Sequence, residues 1–162
     1  MADTCSVAIH RSTGGCVLRV HGRGTFRESP AVRDFVSCAI ERGADVVLDI
    51  SECEFLDSTF LGCLVILHDR ARRGQGAFTV CATELAKDKL LQSMRLDRIL
   101  RVVPTCPDCM GPPVPLNVSE LNRQELGRHL LETHRKLAEL GGPAADMFRA
   151  IVSQLARELD SP

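Results

Sequence analysis

Apolar residues in the first hundred positions switch repeatedly between two periods, and that alternation leaves few folds open. Residues 7–10 and 16–20 are short apolar-rich runs separated by Ser12, Thr13, Gly14 and Gly15. Runs of that length around turn residues predict a β-hairpin. Gly22, Arg23, Gly24 and Thr25 then break the strand pattern. Val32, Phe35, Val36, Ala39 and Ile40 recur at helical spacing, after Ser29 and Pro30 and before Gly43. This predicts a helix with Ser29 as its N-cap, Pro30 in its first turn and Gly43 at its end. Residues 45–50 hold a continuous run, Val46, Val47 and Leu48, suited to a strand buried on both faces. Residues 51–57 read as a short connection. A second helix is expected from about residue 59 to 73, with Leu61, Leu64, Val65 and His68 on one face and Arg70, Arg72 and Arg73 in its last turn. Residues 77–81 form a further strand. Thr83 caps a helix reaching to about residue 94, and residues 99–103 make a closing strand. Strands alternating with helices require a largely parallel sheet with right-handed crossovers. The fold class is therefore α/β, with a mixed sheet of four to five strands.

The pattern stops at Pro104. The next stretch contains Cys106, Cys109 and five further prolines or glycines, which exclude a regular helix or a central strand. Residues 106–116 are expected to be a linker. Asn117 and Glu120 have capping-box spacing ahead of a helix reaching about residue 140, with Leu126, Leu130, Leu137 and Leu140 on its apolar side. Gly141, Gly142 and Pro143 turn the chain into a last helix bearing Phe148, Val152, Leu155 and Leu159. The expected organisation is a domain over residues 1–105, the linker, and an αα-hairpin over residues 117–162. Two helices this short bury little alone, so the hairpin should dock on the domain or pair with a second copy as a homodimer.

Composition excludes several classes. A net charge of −1 provides no basic field for nucleic acid, and the absence of Trp and Tyr leaves little for base stacking. The longest apolar run, near residues 62–67, is too short to span a bilayer, and residues 1–6 do not resemble a secretory signal. A cytoplasmic protein follows, with no membrane contact. In that setting Cys16, Cys38, Cys53, Cys63 and Cys81, each within an apolar segment, read as small hydrophobes.

The most informative stretch runs from Val46 to Gly62. A buried strand ends, an acidic loop follows, and Asp57, Ser58 and Thr59 open a helix. A hydroxyl there faces the positive end of the helix dipole, where a phosphate adds about −2 charge and three acceptors. Residue chemistry alone favours the simpler reading of Asp57 or Ser58 as an N-cap, since both are standard capping residues. The stretch Asp57-Ser58-Thr59-Phe60-Leu61-Gly62 resembles the signature of the STAS family, the anti-sigma-factor antagonists, in which Asp-Ser-Ser/Thr-Gly-Leu-Gly opens a helix after a strand and loop. Gly22-Arg23-Gly24-Thr25 resembles the family's loop after the second strand, and residues 82–100 its closing helical segment. The resemblance spans about residues 5–103. It implies a binding module without catalytic activity. On this resemblance, an anti-sigma factor serine kinase is expected to phosphorylate Ser58, with Thr59 as the alternative acceptor, a phosphatase to reset it, and the unphosphorylated form to sequester the kinase. Asp57, Thr59, Phe60, Gly22, Arg23 and Thr25 fall at the expected partner surface. Phe60 departs from the family, which carries Gly there. A STAS scaffold that is never phosphorylated is the competing reading.

Cys106 and Cys109 have zinc-knuckle spacing, and His129 and His134 lie downstream. On an unbroken helix, however, residues five apart point about 140° apart, so the two histidines do not readily share an ion. No metal or cofactor is expected. Cys53, Cys63, His21 and His68 offer catalytic side chains, but no phosphate-binding or dinucleotide loop accompanies them.

Overall fold

The computed structural model describes residues 4–161. Strands β1 (Cys5–Ser12) and β2 (Gly15–Gly24) form the expected antiparallel hairpin. Then follow α1 (Ser29–Glu41), β3 (Asp45–Asp49), β4 (Cys53–Leu56), α2 (Ser58–Arg73), β5 (Phe78–Cys81), α3 (Glu84–Leu90), α4 (Leu96–Ile99), β6 (Val102–Val103), β7 (Cys109–Pro115), α5 (Arg123–Glu139) and α6 (Ala145–Asp160). The sheet runs β6-β5-β3-β2-β1-β7, with β4 paired to the far end of β2. Its β2, β3, β5 and β6 neighbours are parallel, and β1 is antiparallel to both β2 and β7. The mixed α/β architecture and the C-terminal helices follow the sequence pattern. No helix among the described residues is long and apolar enough to cross a membrane.

Among the described residues the sheet has seven strands rather than four or five. The first addition, β4, forms where a connection was expected: a register shift after Gly22 lets the end of β2 pair in parallel with residues 53–56. The second is β7, within the expected linker. Residues 109–115 pair antiparallel with β1 through Ala8–Pro115, Ile9–Val114, Arg11–Met110 and Ser12–Cys109, across an irregularity at Gly111, Pro112 and Pro113. Proline cannot donate to a ladder, so a Pro-rich strand is tolerated at an edge, where it also blocks pairing with another chain.

Several helix starts differ from the sequence reading. Ser29 lies inside α1, whose N-cap is Glu28 without a side-chain cap bond. The capping box of α5 sits five residues later than expected: Asn122 Oδ1 accepts from Glu125 N at 2.8 Å, and the Asn122 amide donates to the Glu125 carboxylate. Thr83 caps α3 as expected, accepting from Ala86 N at 3.1 Å. The helix it starts ends at Leu90, and a 3-10 turn with Arg95 at φ 56° redirects the chain into α4.

One face of the sheet carries the core. Leu18, Leu48 and Val80 pack there with Val32, Val36, Phe60 and Leu64 of α1 and α2. Every residue of α2 from Thr59 to Leu67 is buried. A helix apolar on all sides needs a neighbour on each. The sheet and α1 cover one side of α2, and α5 covers the other. Their approach is so close that a Cβ added at Gly62 would stand 2.3 Å from the Thr133 carbonyl oxygen.

Phe60 is fully buried. Gly24 makes that possible, since a Cβ there would lie 2.7 Å from Leu56 Cδ2 and 3.0 Å from Phe60 Cδ2. The large Phe60 ring is thus accommodated by a side chain missing on β2. Replacing Phe60 with Ala should cost about 3–5 kcal/mol in urea unfolding, as for other buried aromatics. Gly24→Ala should be destabilising in the natural chain and much less so beside Phe60→Ala; equal costs in both backgrounds would contradict this coupling.

Candidate functional site at the start of α2

The geometry of this site begins with Asp57. It is the N-cap of α2, in extended conformation, and its Oδ1 accepts from Phe60 N at 2.8 Å. Its other oxygen accepts from Phe26 N, also at 2.8 Å. One carboxylate therefore fastens the loop after β2 to the start of α2. Burial raises its pKa, the two backbone N–H groups oppose that rise, and Glu28 raises it further while His134 lowers it.

Ser58 is the first helical residue and is half-buried. Its Oγ lies 3.1 Å from His134 Nε2 on α5. His134 Nδ1 lies 2.7 Å from the Leu130 carbonyl, which can only accept. Nδ1 therefore carries the proton, Nε2 accepts, and the Ser58 hydroxyl donates. The His134 ring also meets Phe148 of α6, with centroids 5.9 Å apart. A serine hydroxyl donating to imidazole is the start of a nucleophile–base pair, but here the acceptor holds the hairpin against α2 rather than facing open space.

The other expected residues are placed as follows. Thr59, the alternative acceptor, is only 4% exposed and closed off. Phe60, expected at the partner surface, is turned inward and meets the core instead. Gly22 is buried at φ 88°, and its N–H bonds to Glu52 O. Thr25 is held by Glu28 Oε2, which accepts from both its N at 2.9 Å and its Oγ1 at 3.0 Å. Arg23 lays its guanidinium 4.0 Å over the Phe55 ring. Of that group, Asp57 and Ser58 are brought together with each other and with the loop carrying Thr25. The accessible aromatic surface comes from two residues that sequence reasoning passed over, Phe26 at 39% and Phe55 at 38% exposed. Phe26 also lines a groove of about 500 Å³ with Arg27, Pro30, Val118, Leu121 and Leu126.

A second serine–histidine contact joins α5 to α1. Ser29 Oγ is 2.7 Å from His129 Nε2. Arg33 Nη1 lies 3.4 Å from His129 Nδ1, and an arginine can only donate, so Nδ1 accepts and Nε2–H donates to Ser29. Arg33 also pairs with Glu132. His129, Thr133 and Leu137, four residues apart, form the stripe of α5 buried against the domain. The leucines expected to dominate that face are partly turned to α6: Leu126 and Leu130 border Leu155 and Leu159.

The cysteines and histidines with zinc-knuckle spacing are dispersed. Cys106 lies beside Asp49 and Cys81, while His129 and His134 bond serines on separate helices. Cys53, Cys63 and Cys81 are buried as expected, Cys16 is half-buried, and Cys38 is exposed. Burial pushes the Cys63 thiol up to about 12, which leaves it protonated and unreactive at neutral pH.

The family model described as "Mlab, STAS domain" matches residues 7–104. Among solved structures, the crystal structure of an anti-sigma factor antagonist from Mycobacterium paratuberculosis is similar at 24% identity and a TM-score of 0.55, covering 65% of this chain and 90% of that one. The structure of the anti-sigma factor antagonist SpoIIAA in its unphosphorylated form is 16% identical, with a TM-score of 0.44, covering 57% of this chain and 95% of that one. No curated protein matches the chain. The first structural likeness speaks for the fold.

The α5 contact has a pH signature. Burial, then the Arg33 charge and His134, lower His129 from 6.5 to about 4, and Glu132 opposes them. The unfolded chain therefore binds more protons between those values, and stability falls as pH drops through them. The full loss below pH 4 is on the order of 3 kcal/mol. Thermal unfolding should show that decline in the natural chain. His129→Gln should be less stable at pH 7 and show a flatter dependence between pH 6.5 and 4; an unchanged slope would exclude His129 as its source.

Proposed function

We propose that this chain, which belongs to the STAS domain family, is an anti-sigma-factor antagonist switched at Ser58. In the unphosphorylated form it sequesters a kinase-type anti-sigma factor. Phosphorylation of Ser58 by that kinase releases it, and a phosphatase resets the module. The observation that carries this reading is the position of Ser58: the first residue of α2, directly after the Asp57 cap, at the family motif's acceptor position. The likeness in fold to the anti-sigma factor antagonist from Mycobacterium paratuberculosis is in keeping with it.

The hairpin adds a condition to this reading. With the Ser58 hydroxyl bonded to His134, a kinase reaches it only when α5 has moved aside. A phosphate at Ser58 would then oppose re-docking, because it replaces the hydrogen bond to His134 with a bulky anion beside the Asp57 carboxylate. Phe55, Arg23 and Phe26 supply the partner surface, since exposed aromatics and arginines are the usual anchors of protein interfaces. One observation favours a second reading. The half-buried, hydrogen-bonded Ser58 equally suits a STAS scaffold that is never phosphorylated.

Intact-mass analysis of the chain from its native cell separates the two: the switch predicts a single phosphate lost in Ser58→Ala, the scaffold none. Ser58→Ala should stay bound to the cognate kinase with ATP present, and Ser58→Asp should fail to bind. Gly62→Ala should force α5 from α2 at a cost of about 1–3 kcal/mol of docking, the usual penalty of overpacking. It should speed Ser58 phosphorylation by the kinase and hydrogen exchange in α5. Equal phosphorylation rates in both chains would remove the hairpin from the mechanism.

A further inference from the structure

Arg19, Asp49 and Cys81 are register neighbours on β2, β3 and β5. Side chains alternate along strands, so these three share the face opposite the Leu18–Leu48–Val80 core. Asp49 and Cys81 end adjacent parallel strands. The chain returns over this end after β6 and brings in Cys106. The Asp49 carboxylate and the Cys81 and Cys106 sulfurs all lie within 4.8 Å of one another, from three separate segments. Cys81 is buried and Cys106 half-buried. Asp49 Oδ1 accepts from Ser51 N at 3.0 Å, which fixes the carboxylate. Its Oδ2 is 3.3 Å from Arg19 Nε, and Arg19 Nη2 reaches to 3.8 Å from Cys109 Sγ. A single guanidinium thus stands between Asp49 and the second cysteine of the Cys106-Pro107-Asp108-Cys109 knuckle.

We propose that Asp49, Cys81 and Cys106 bind a zinc ion, with Cys109 closing the fourth position. Thiolates with a carboxylate suit zinc and disfavour magnesium or calcium, which take oxygen donors. Tetrahedral zinc with Zn–S near 2.3 Å places sulfurs about 3.8 Å apart, so the cluster needs only a small contraction. The Arg19 side chain is 44% exposed and can swing towards solvent as the cation replaces it. Each coordinating thiol gives its proton to water as the metal–sulfur bond forms, with no change of oxidation state. The ion would fasten residues 104–109 to the ends of β3 and β5 and so fix the entry to β7. The knuckle seen in the sequence keeps both cysteines in this site but takes its remaining ligands from the sheet, not from α5.

The test uses the full chain, purified under reducing conditions, stripped with a chelator and titrated with zinc. Stoichiometric uptake, a rise in Tm, and cobalt substitution giving thiolate charge-transfer and tetrahedral d–d bands are expected. Cys106→Ser lies in an irregular segment and leaves the core intact, so it and Asp49→Asn should retain the native circular dichroism. Both should lose stoichiometric uptake and the zinc-dependent rise in Tm, whereas His129→Gln should retain them. Absence of uptake by the reduced natural chain, equal uptake by Cys106→Ser, or an octahedral cobalt spectrum would overturn the proposal. So would a Cys81–Cys106 disulfide as the form isolated without oxidant.

Discussion

The constraint on which the rest of this molecule depends is the burial of α2 on two sides. From Thr59 to Leu67 no turn of the helix presents a polar face, so the sheet and α1 cannot satisfy it alone. Helix α5 supplies the missing layer, and Gly62 sets its distance. With no side chain at Gly62, the Thr133 backbone settles directly against α2. Interiors pack at near-crystalline density, so a contact made backbone to backbone tolerates little change on either helix. The α5–α6 hairpin is therefore joined to the domain's central helix rather than tethered by a free linker, and β7 ties the intervening segment to the sheet as well.

The same packing decides what the start of α2 can present. Asp57 satisfies Phe60 N and Phe26 N together, which fixes the helix start and the loop after β2 as one unit. Ser58 follows at once, and its exposure is set by α5, not by its own helix. The dipole of α2 favours an anion at this hydroxyl, while the His134 contact covers it. Access to the hydroxyl therefore depends on the docking of the hairpin, and a ligand shifts that docking only through a different affinity for the docked and undocked forms.

Much of this was legible in the chain. Alternating periods over residues 7–103 indicated the hairpin, the parallel strands and the helices in their order, because those elements follow from local apolar spacing. The strands β4 and β7 were not legible, because each exists only through its partner: residues 53–56 pair where β2 shifts register, and a proline-rich segment becomes a strand only along the free edge of β1. The direction of Phe60 was hidden for the same reason. It depends on space left by Gly24, thirty-six positions earlier, and no local pattern reports it. At the candidate site the motif located Asp57 and Ser58, whereas the cover over Ser58 was missed. The available signal was the nine-residue apolar run of α2, which already demanded a second partner, together with His129, Thr133 and Leu137 at four-residue spacing.

The chemistry of that cover bears on how it works. A helix that only had to complete a core would present leucines throughout, yet Leu126 and Leu130 border α6 and the domain receives His129, Thr133 and His134 beside the single leucine Leu137. Neutral hydrogen bonds contribute about 0.5–1.5 kcal/mol each, less than a buried leucine, but they are strict about geometry and charge. In Ser29–His129 and Ser58–His134 the second partner of each imidazole, Arg33 in one case and Leu130 in the other, sets its tautomer and so the direction of the serine bond. The interface therefore combines apolar burial at Leu137 with polar contacts that fix its geometry. Its close approach at Gly62 excludes any larger group, and a proton on His129 Nδ1 would turn that acceptor against the Arg33 guanidinium. These properties follow from the residues at which the appended helix and the domain's central helix meet.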